Sequence, residues 1–290
     1  MAENEGSATG TTESVVRDED AVLVIEGLRQ EFSNSGRAEN FSVVVDRLAL
    51  PRGGFIAIQG PNGCGKTTLV TVLALLRCPS NLKDSDRKKR LSRFTMSVAT
   101  GQSARGNDGS APPPLDLRKL WGSWWGRHKI NLLRRKYLGF APQQLELLPA
   151  LKSDETVACS LWLNGIGRRR DRVAELLEQF DVAKVGRSRI NRISGGQQQK
   201  VTLARAIAHR PPLIFLDEPT AYLYHKDARD ALNVLRTLQQ KSGEEGRPIT
   251  VVMITHDKDL ARDFATHVVN MTVLETNGQR EGHIVQQQPK

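Results

Sequence analysis

The sequence predicts an α/β fold, a mainly parallel sheet with helices on both sides, and three observations carry the prediction. Short continuous apolar runs stand at 55–58, 213–216 and 250–254, as strands buried on both faces require. Helix-period segments alternate with them, such as Ala228, Ala231, Leu232, Leu235 and Leu238, and that alternation sets parallel strands side by side through crossovers. A glycine-rich turn follows the first run directly and opens into an apolar helix at 69–76.

With 290 residues, 39% of them hydrophobic, the chain can bury a large core. No run approaches the ~20 apolar residues of a membrane span. The N-terminus, with Glu3, Glu5 and Glu13, lacks the basic and apolar regions of a signal peptide, so a cytoplasmic chain is expected. Cys64, Cys78 and Cys159 form neither a disulfide framework nor a paired metal motif and are expected as free thiols. The net charge of +10 is uneven: residues 1–20 carry one Arg against six Asp/Glu, and residues 80–136 carry fourteen Lys/Arg against four. One segment makes the protein basic.

Taken in order, residues 1–20 read as a disordered acidic tail and 21–285 as one domain, with a short tail at 286–290. Residues 21–28 and 41–50 are β-branched runs around the turn-rich Ser33-Asn34-Ser35-Gly36, a hairpin-like antiparallel β subdomain. Phe32, at the edge of that turn, either stacks on a bound base or belongs to the core. Residues 79–136 form a basic insertion of weak periodicity, including the Gly/Ser/Pro-rich 101–114. It ends in Leu117, Leu120, Trp121, Trp124 and Trp125, the spacing of one helix face, which either packs on its own domain or presents a docking or membrane-surface patch. A short strand at 138–141 leads to Gln143. A helical subdomain is inserted at about 144–192, its pattern clearest at Val173, Leu176, Leu177 and Phe180. Ser194 stands before Gly195-Gly196 and a further helix, which Pro211-Pro212 ends. The buried run 213–216 delivers Asp217-Glu218, the run 250–254 delivers Thr255-His256, and Asn277-Gly278 marks a late hairpin.

The chemistry starts at Gly60-Pro61-Asn62-Gly63-Cys64-Gly65-Lys66-Thr67-Thr68, which satisfies G-x-x-x-x-G-K-[ST] between a strand and a helix. Its glycines let backbone N–H groups converge where the helix dipole already favours an anion. Nucleotide phosphates would sit there, with Lys66 on the β- and γ-phosphates and the Thr67 hydroxyl on Mg²⁺. Asp217 at a buried strand end suits the same Mg²⁺, and Glu218 suits polarising a water that attacks the γ-phosphate. Ser194-Gly195-Gly196 caps a helix with open N–H groups, a second anion site far along the chain from the first.

The segment Ile193-Ser194-Gly195-Gly196-Gln197-Gln198-Gln199-Lys200, followed by Asp217-Glu218-Pro219-Thr220, resembles the signature and magnesium motifs of ATP-binding cassette proteins. The resemblance covers about 21–285 apart from much of 80–130. It implies that Gln143 is the glutamine of the family's catalytic and magnesium-binding loop, His256 its switch histidine, and Phe32 its adenine-stacking aromatic. It further implies ATP and Mg²⁺ as ligands and a head-to-tail homodimer, or pairing with a sister cassette. Ser194, Gly195, Gly196 and Gln197 of one copy then close on the ATP of the other. A separate transmembrane permease would dock near 143–165, which implies an ATP-hydrolysing transport subunit, peripheral on the inner face of the membrane. Leu138-Gly139-Phe140, Leu147-Leu148-Pro149 and Glu155-Thr156-Val157 look most like the branch serving lipoprotein release and macrolide efflux. The alternative is a cassette acting on nucleic acid or ribosomes through its basic insertion. The single cassette and the absence of a long coiled coil speak against nucleic acid as a partner. Tyr224 stands where the family has a coupling aspartate.

Overall fold

The computed structural model describes residues 16–32, 41–86, 89–97, 113–167, 169–276 and 279–289. The chain runs β1 (Ala21–Phe32), β2 (Phe41–Pro51), β3 (Phe55–Gln59), α1 (Lys66–Leu73), β4 (Arg93–Met96), β5 (Leu115–Asp116), α2 (Leu117–Trp121), α3 (Trp124–Tyr137) and β6 (Leu138–Ala141). It continues α4 (Ser153–Leu163), α5 (Arg169–Gln179), α6 (Gly195–Ile207), β7 (Leu213–Asp217), α7 (His225–Glu244), β8 (Thr250–Ile254), α8 (Lys258–Phe264), β9 (His267–Thr276) and β10 (Gln279–Pro289).

Among the described residues the strands form a single sheet ordered β5-β4-β1-β2-β10-β9-β3-β8-β7-β6. One half, from β9 through β3, β8 and β7 to β6, is parallel. The other half is antiparallel from β2 through β1 and β4 to β5, and β10 joins the halves by pairing parallel to β2 and antiparallel to β9. The continuous apolar runs are explained by layering. Leu213 and Phe215 of β7 pack into the layer that contains Leu69 of α1 and Ile130 of α3. Ile214 and Leu216 pack with Leu161 of α4, Leu203 of α6 and Leu232 of α7. Every residue of β7 and β8 is therefore buried. Each fully buried Leu, Val or Phe contributes about 2 kcal/mol relative to an exposed one, so these strands carry a large share of the apolar burial that holds the fold.

The structure places several elements differently from the sequence expectation. The five-residue apolar face is not one helix: the helix is interrupted at Gly122 and Ser123, which cap α2 and α3 respectively. Leu117 is buried and Leu120 and Trp121 pack on the core, while Trp124 and Trp125 point away from it. Part of the basic insertion is regular, because β4 and β5 extend the antiparallel half beyond β1. The final strand β10 runs to Pro289 along β9, past the boundary expected at 285. Order also starts before residue 20, since Val16 packs on Ala21, Val24 and Ala49, and Asp18 pairs with Arg47 and Arg93. The turn at 33–36, most of 101–114, the hairpin tip Asn277-Gly278 and most of the acidic tail lie outside the described residues. No described helix is long and apolar enough to cross a membrane.

Candidate functional site: a phosphate cleft at the ends of four parallel strands

The register of the parallel half aligns Ile58 with Ile254, Ile254 with Asp217, and Leu216 with Ala141. The chain leaving β3, β8, β7 and β6 therefore emerges along one edge, where open parallel sheets bind ligands. A cleft of about 610 Å³ lies there, lined by Asn62, Gly63, Gly65, Lys66, Thr67 and Thr68 of the loop after β3, and by Phe41, Gln143, Glu218 and His256.

The loop is shaped by close packing against β2. Gly65 is left-handed with φ of 92°, and a Cβ there would stand 2.2 Å from Val43 Cγ2. Only glycine meets both demands. Gly65 then caps α1 without a side chain, and the first turn of α1 carries no acidic residue, so its N–H groups remain open to an anion. Lys66 is buried, and its ammonium donates to the carbonyls of Gly60 (2.9 Å) and Pro61 (2.8 Å). Those contacts satisfy a charge that would otherwise be costly to bury, and hold it at the mouth of the loop.

Asp217 is the last residue of β7 and almost fully buried. Burial raises its carboxyl above the usual value of 3.8; the Thr67 hydroxyl bonded to it, Lys66 and His256 oppose that rise, and Glu218 adds to it. One oxygen, Oδ1, is buried with no partner. An orphaned carboxylate oxygen beside the Thr67 hydroxyl fits a divalent cation, whose oxygen ligands would supply the missing contact. Glu218 follows with φ of 47°, a region non-glycine residues rarely occupy, and its N–H donates to Ile254 O at 3.1 Å. That turn directs its carboxylate into the cleft, where Oε1 lies 3.2 Å from His256 Nε2. His256 is fixed at the end of β8 by the turn behind it: Thr255 Oγ1 accepts from Asp257 N, and Asp257 caps α8 through Asp259 N and Leu260 N.

Ser194, Gly195, Gly196 and Gln197 do not line this cleft. They open α6 with a capping box, in which Ser194 Oγ accepts from Gln197 N (3.3 Å) and Gln197 Oε1 accepts from Ser194 N (3.0 Å). Phe32 pairs with Phe41 at the ends of β1 and β2, and its side chain lies outside the described residues; the aromatic lining the cleft is Phe41.

Two contributions escaped sequence reasoning. Phe41 is one, legible in retrospect as the strand residue opposite Phe32. The other is Gln199, fully buried, whose Nε2 donates to Pro219 O at 2.9 Å and so ties α6 to the segment carrying Glu218. Tyr222 lies against the same helix start, since a Cβ on Gly196 would stand 3.1 Å from its carbonyl oxygen.

The family profile described as "ABC transporter" matches residues 118–221. The chain is 31% identical over 244 residues to the lipoprotein-releasing system ATP-binding protein LolD 1 of Rhodospirillum rubrum, covering 83% of this chain and 92% of that protein. It is 30% identical over 253 residues to the uncharacterized ABC transporter ATP-binding protein MJ1508 of Methanocaldococcus jannaschii, covering 87% and 92%. The macrolide export ATP-binding/permease protein MacB of Bdellovibrio bacteriovorus is 29% identical over 215 residues, which are 74% of this chain and 27% of that longer protein. Among solved structures, the dimeric bacterial ABC transporter cassette MJ0796 superposes with a TM-score of 0.68 at 24% identity, covering 92% of this chain and 98% of that one. The same cassette in a post-hydrolysis state bound to ADP and Pi gives 0.67.

Proposed function

The chain belongs to the ATP-binding cassette transporter family, as an ATP-binding ATPase subunit, and from that premise we propose how its cleft hydrolyses ATP and what it drives. The observation that carries the reading is the convergence of Lys66, Thr67, Gln143, Asp217, Glu218 and His256 on one strand edge, with the Asp217 Oδ1 atom left without a partner. The triphosphate lies on the first turn of α1, and the Lys66 ammonium leaves its loop carbonyls for the β- and γ-phosphates. Thr67, Asp217 and Gln143 would hold Mg²⁺, which when bound would neutralise charge on the β- and γ-phosphates. Glu218 accepts a proton from a water aimed at the γ-phosphorus; the new P–O bond forms as the bond to the β-phosphate oxygen breaks, giving ADP and phosphate. His256, 3.2 Å from Glu218, orients that water and bonds the γ-phosphate. A stacking face for the base would come from Phe41, the aromatic that lines the cleft, or from Phe32, paired with it at the strand ends.

The signature lies outside the cleft, so Ser194, Gly195, Gly196 and Gln197 come from a second cassette, a copy of this chain or a sister, in head-to-tail pairing. The relative MJ0796, 31% identical over 221 residues, is dimeric in its solved structure, which supports pairing of two cassettes. A separate membrane permease receives the motion at 143–165, which places the protein peripherally on the cytoplasmic face. The LolD and MacB relatives support this transport reading over one on nucleic acid. The test is Glu218→Gln: turnover falls by at least ~100-fold while ATP binding is kept, and the protein shifts to dimer on gel filtration in Mg-ATP. A variant that still turns over at the parent rate removes Glu218 from the chemistry and this mechanism with it.

A further inference from the structure

One face of α3 is anchored and another is left bare. Ile130 is buried, and Leu133 and Tyr137 pack beside it, so the helix cannot roll. At its start Gly126 touches α2 so closely that a Cβ would stand 1.6 Å from the Leu120 carbonyl oxygen. That crossing seats the backbone of the first turn against α2 and leaves the neighbouring side chains outside. Trp124 and Trp125 are consequently 80% and 73% exposed, more than any other apolar tryptophan, leucine, isoleucine or valine among the described residues. Their rings lie together, centroids 5.6 Å apart. Leu132, seven residues after Trp125 and on the same side of the helix, is exposed too.

The charge around this stripe has one sign. Seven Lys/Arg and no Asp/Glu stand between Leu117 and Tyr137. Arg118 is engaged by Asp116, whereas Arg127, Lys129, Arg135 and Lys136 are exposed with no carboxylate partner among the described residues. Tryptophan sits at the level of lipid headgroups because its ring is apolar and its N–H polar, and clustered cations meet the phosphates there. Phosphate contact alone would explain the cations but not the paired bare indoles.

We propose that this face of α3 docks on an anionic phospholipid surface, with Trp124 and Trp125 seated among the headgroups and Arg127, Lys129, Arg135 and Lys136 over their phosphates. This is a direct lipid contact, additional to the permease contact proposed above and independent of it.

The full chain is sedimented with vesicles of phosphatidylcholine alone and of phosphatidylcholine mixed with phosphatidylglycerol. It binds the mixed vesicles only, its tryptophan emission shifts to the blue on binding, and added salt releases it. Trp124→Ala with Trp125→Ala weakens binding at least ~10-fold and removes the blue shift. Arg127→Glu with Lys129→Glu abolishes the preference for anionic lipid. Both double variants keep the parent's circular dichroism and ATP turnover, since neither pair lines the cleft. Undiminished binding by the tryptophan variant overturns the proposal. So does failure of the parent chain to bind mixed vesicles, whether it instead binds duplex DNA through the same side chains or binds only vesicles that carry a permease.

Discussion

Asp217 is placed where its chemistry conflicts with its stability. A carboxyl whose folded pKa is raised holds its proton more tightly in the folded chain than in the unfolded one. Its ionisation therefore costs stability once the pH passes the unfolded value, and that cost is complete above the raised folded value and vanishes in acid. With Oδ1 also unpartnered, Asp217→Asn should raise the melting temperature of the ligand-free protein by ~2–4 °C near neutral pH. The gain should shrink as the pH is lowered toward the value of a free carboxyl, and Mg-ATP should no longer stabilise the variant. A neutral-pH melting temperature at or below the parent's would show that Asp217 is not strained by its burial. Glu218 adds a backbone cost of the same kind, since φ of 47° is tolerated because the Ile254 carbonyl holds its N–H.

The loop from β7 into α7 shows how a single side chain can set the behaviour of an element. Tyr224 occupies the N-cap of this twenty-residue helix, makes no side-chain cap and is 87% exposed. A phenol there neither caps the helix nor offers the charge-assisted acceptor that the family's aspartate supplies. Tyr224→Asp should therefore stabilise the fold by about 1 kcal/mol, seen as a melting temperature higher by ~2–4 °C. It should also steepen the ATP dependence of turnover, because the parent is expected to hydrolyse slowly or with weak cooperativity. A flat or lowered response in both measurements would mean that the loop is already organised by other contacts, such as Tyr222 beneath Gly196. Legibility in the sequence also divides by element. β3, β7 and β8 were readable because burial on both faces leaves continuous apolar runs, and each strand end then delivered its motif. β4 and β5, with four residues and two, are too short to show a period. The hairpin at Asn277-Gly278 announced β10, but its last residues were hidden because Gln286, Gln287 and Gln288 are polar, although β9 pairs with all of them. The break between α2 and α3 was hidden for the opposite reason: the apolar spacing continues across Gly122 and Ser123 while the helix does not. Gln199 was unreadable in a run of three glutamines, since only the packed fold says which one points at Pro219.

At the scale of the whole molecule, one copy holds two groups of motif residues that do not line the same cleft. Lys66 to Thr68, Asp217, Glu218 and His256 gather at the strand edge, while the capping box at Ser194 opens a helix that the cleft does not include. The two are nevertheless linked inside the copy, because Gln199 of α6 bonds the carbonyl of Pro219, the residue after Glu218. That bond ties the helix opened by Ser194 to the segment carrying Glu218, so in the proposed head-to-tail pair it would link the two nucleotides twice over. This arrangement makes a complementation test decisive. Lys66→Ala disables a copy's own phosphate loop and spares its signature; Ser194→Arg does the reverse. Each variant alone should be inactive, because every composite site in its homodimer lacks one half. Mixed in equal amounts they should recover about a quarter of the parent turnover, since half of the pairs are mixed and each mixed pair holds one complete site. No recovery on mixing, with both proteins folded and Ser194→Arg still binding ATP, would mean that the two halves do not meet across a pair. Recovery that rises with protein concentration would place the rate-limiting closure between copies rather than within one.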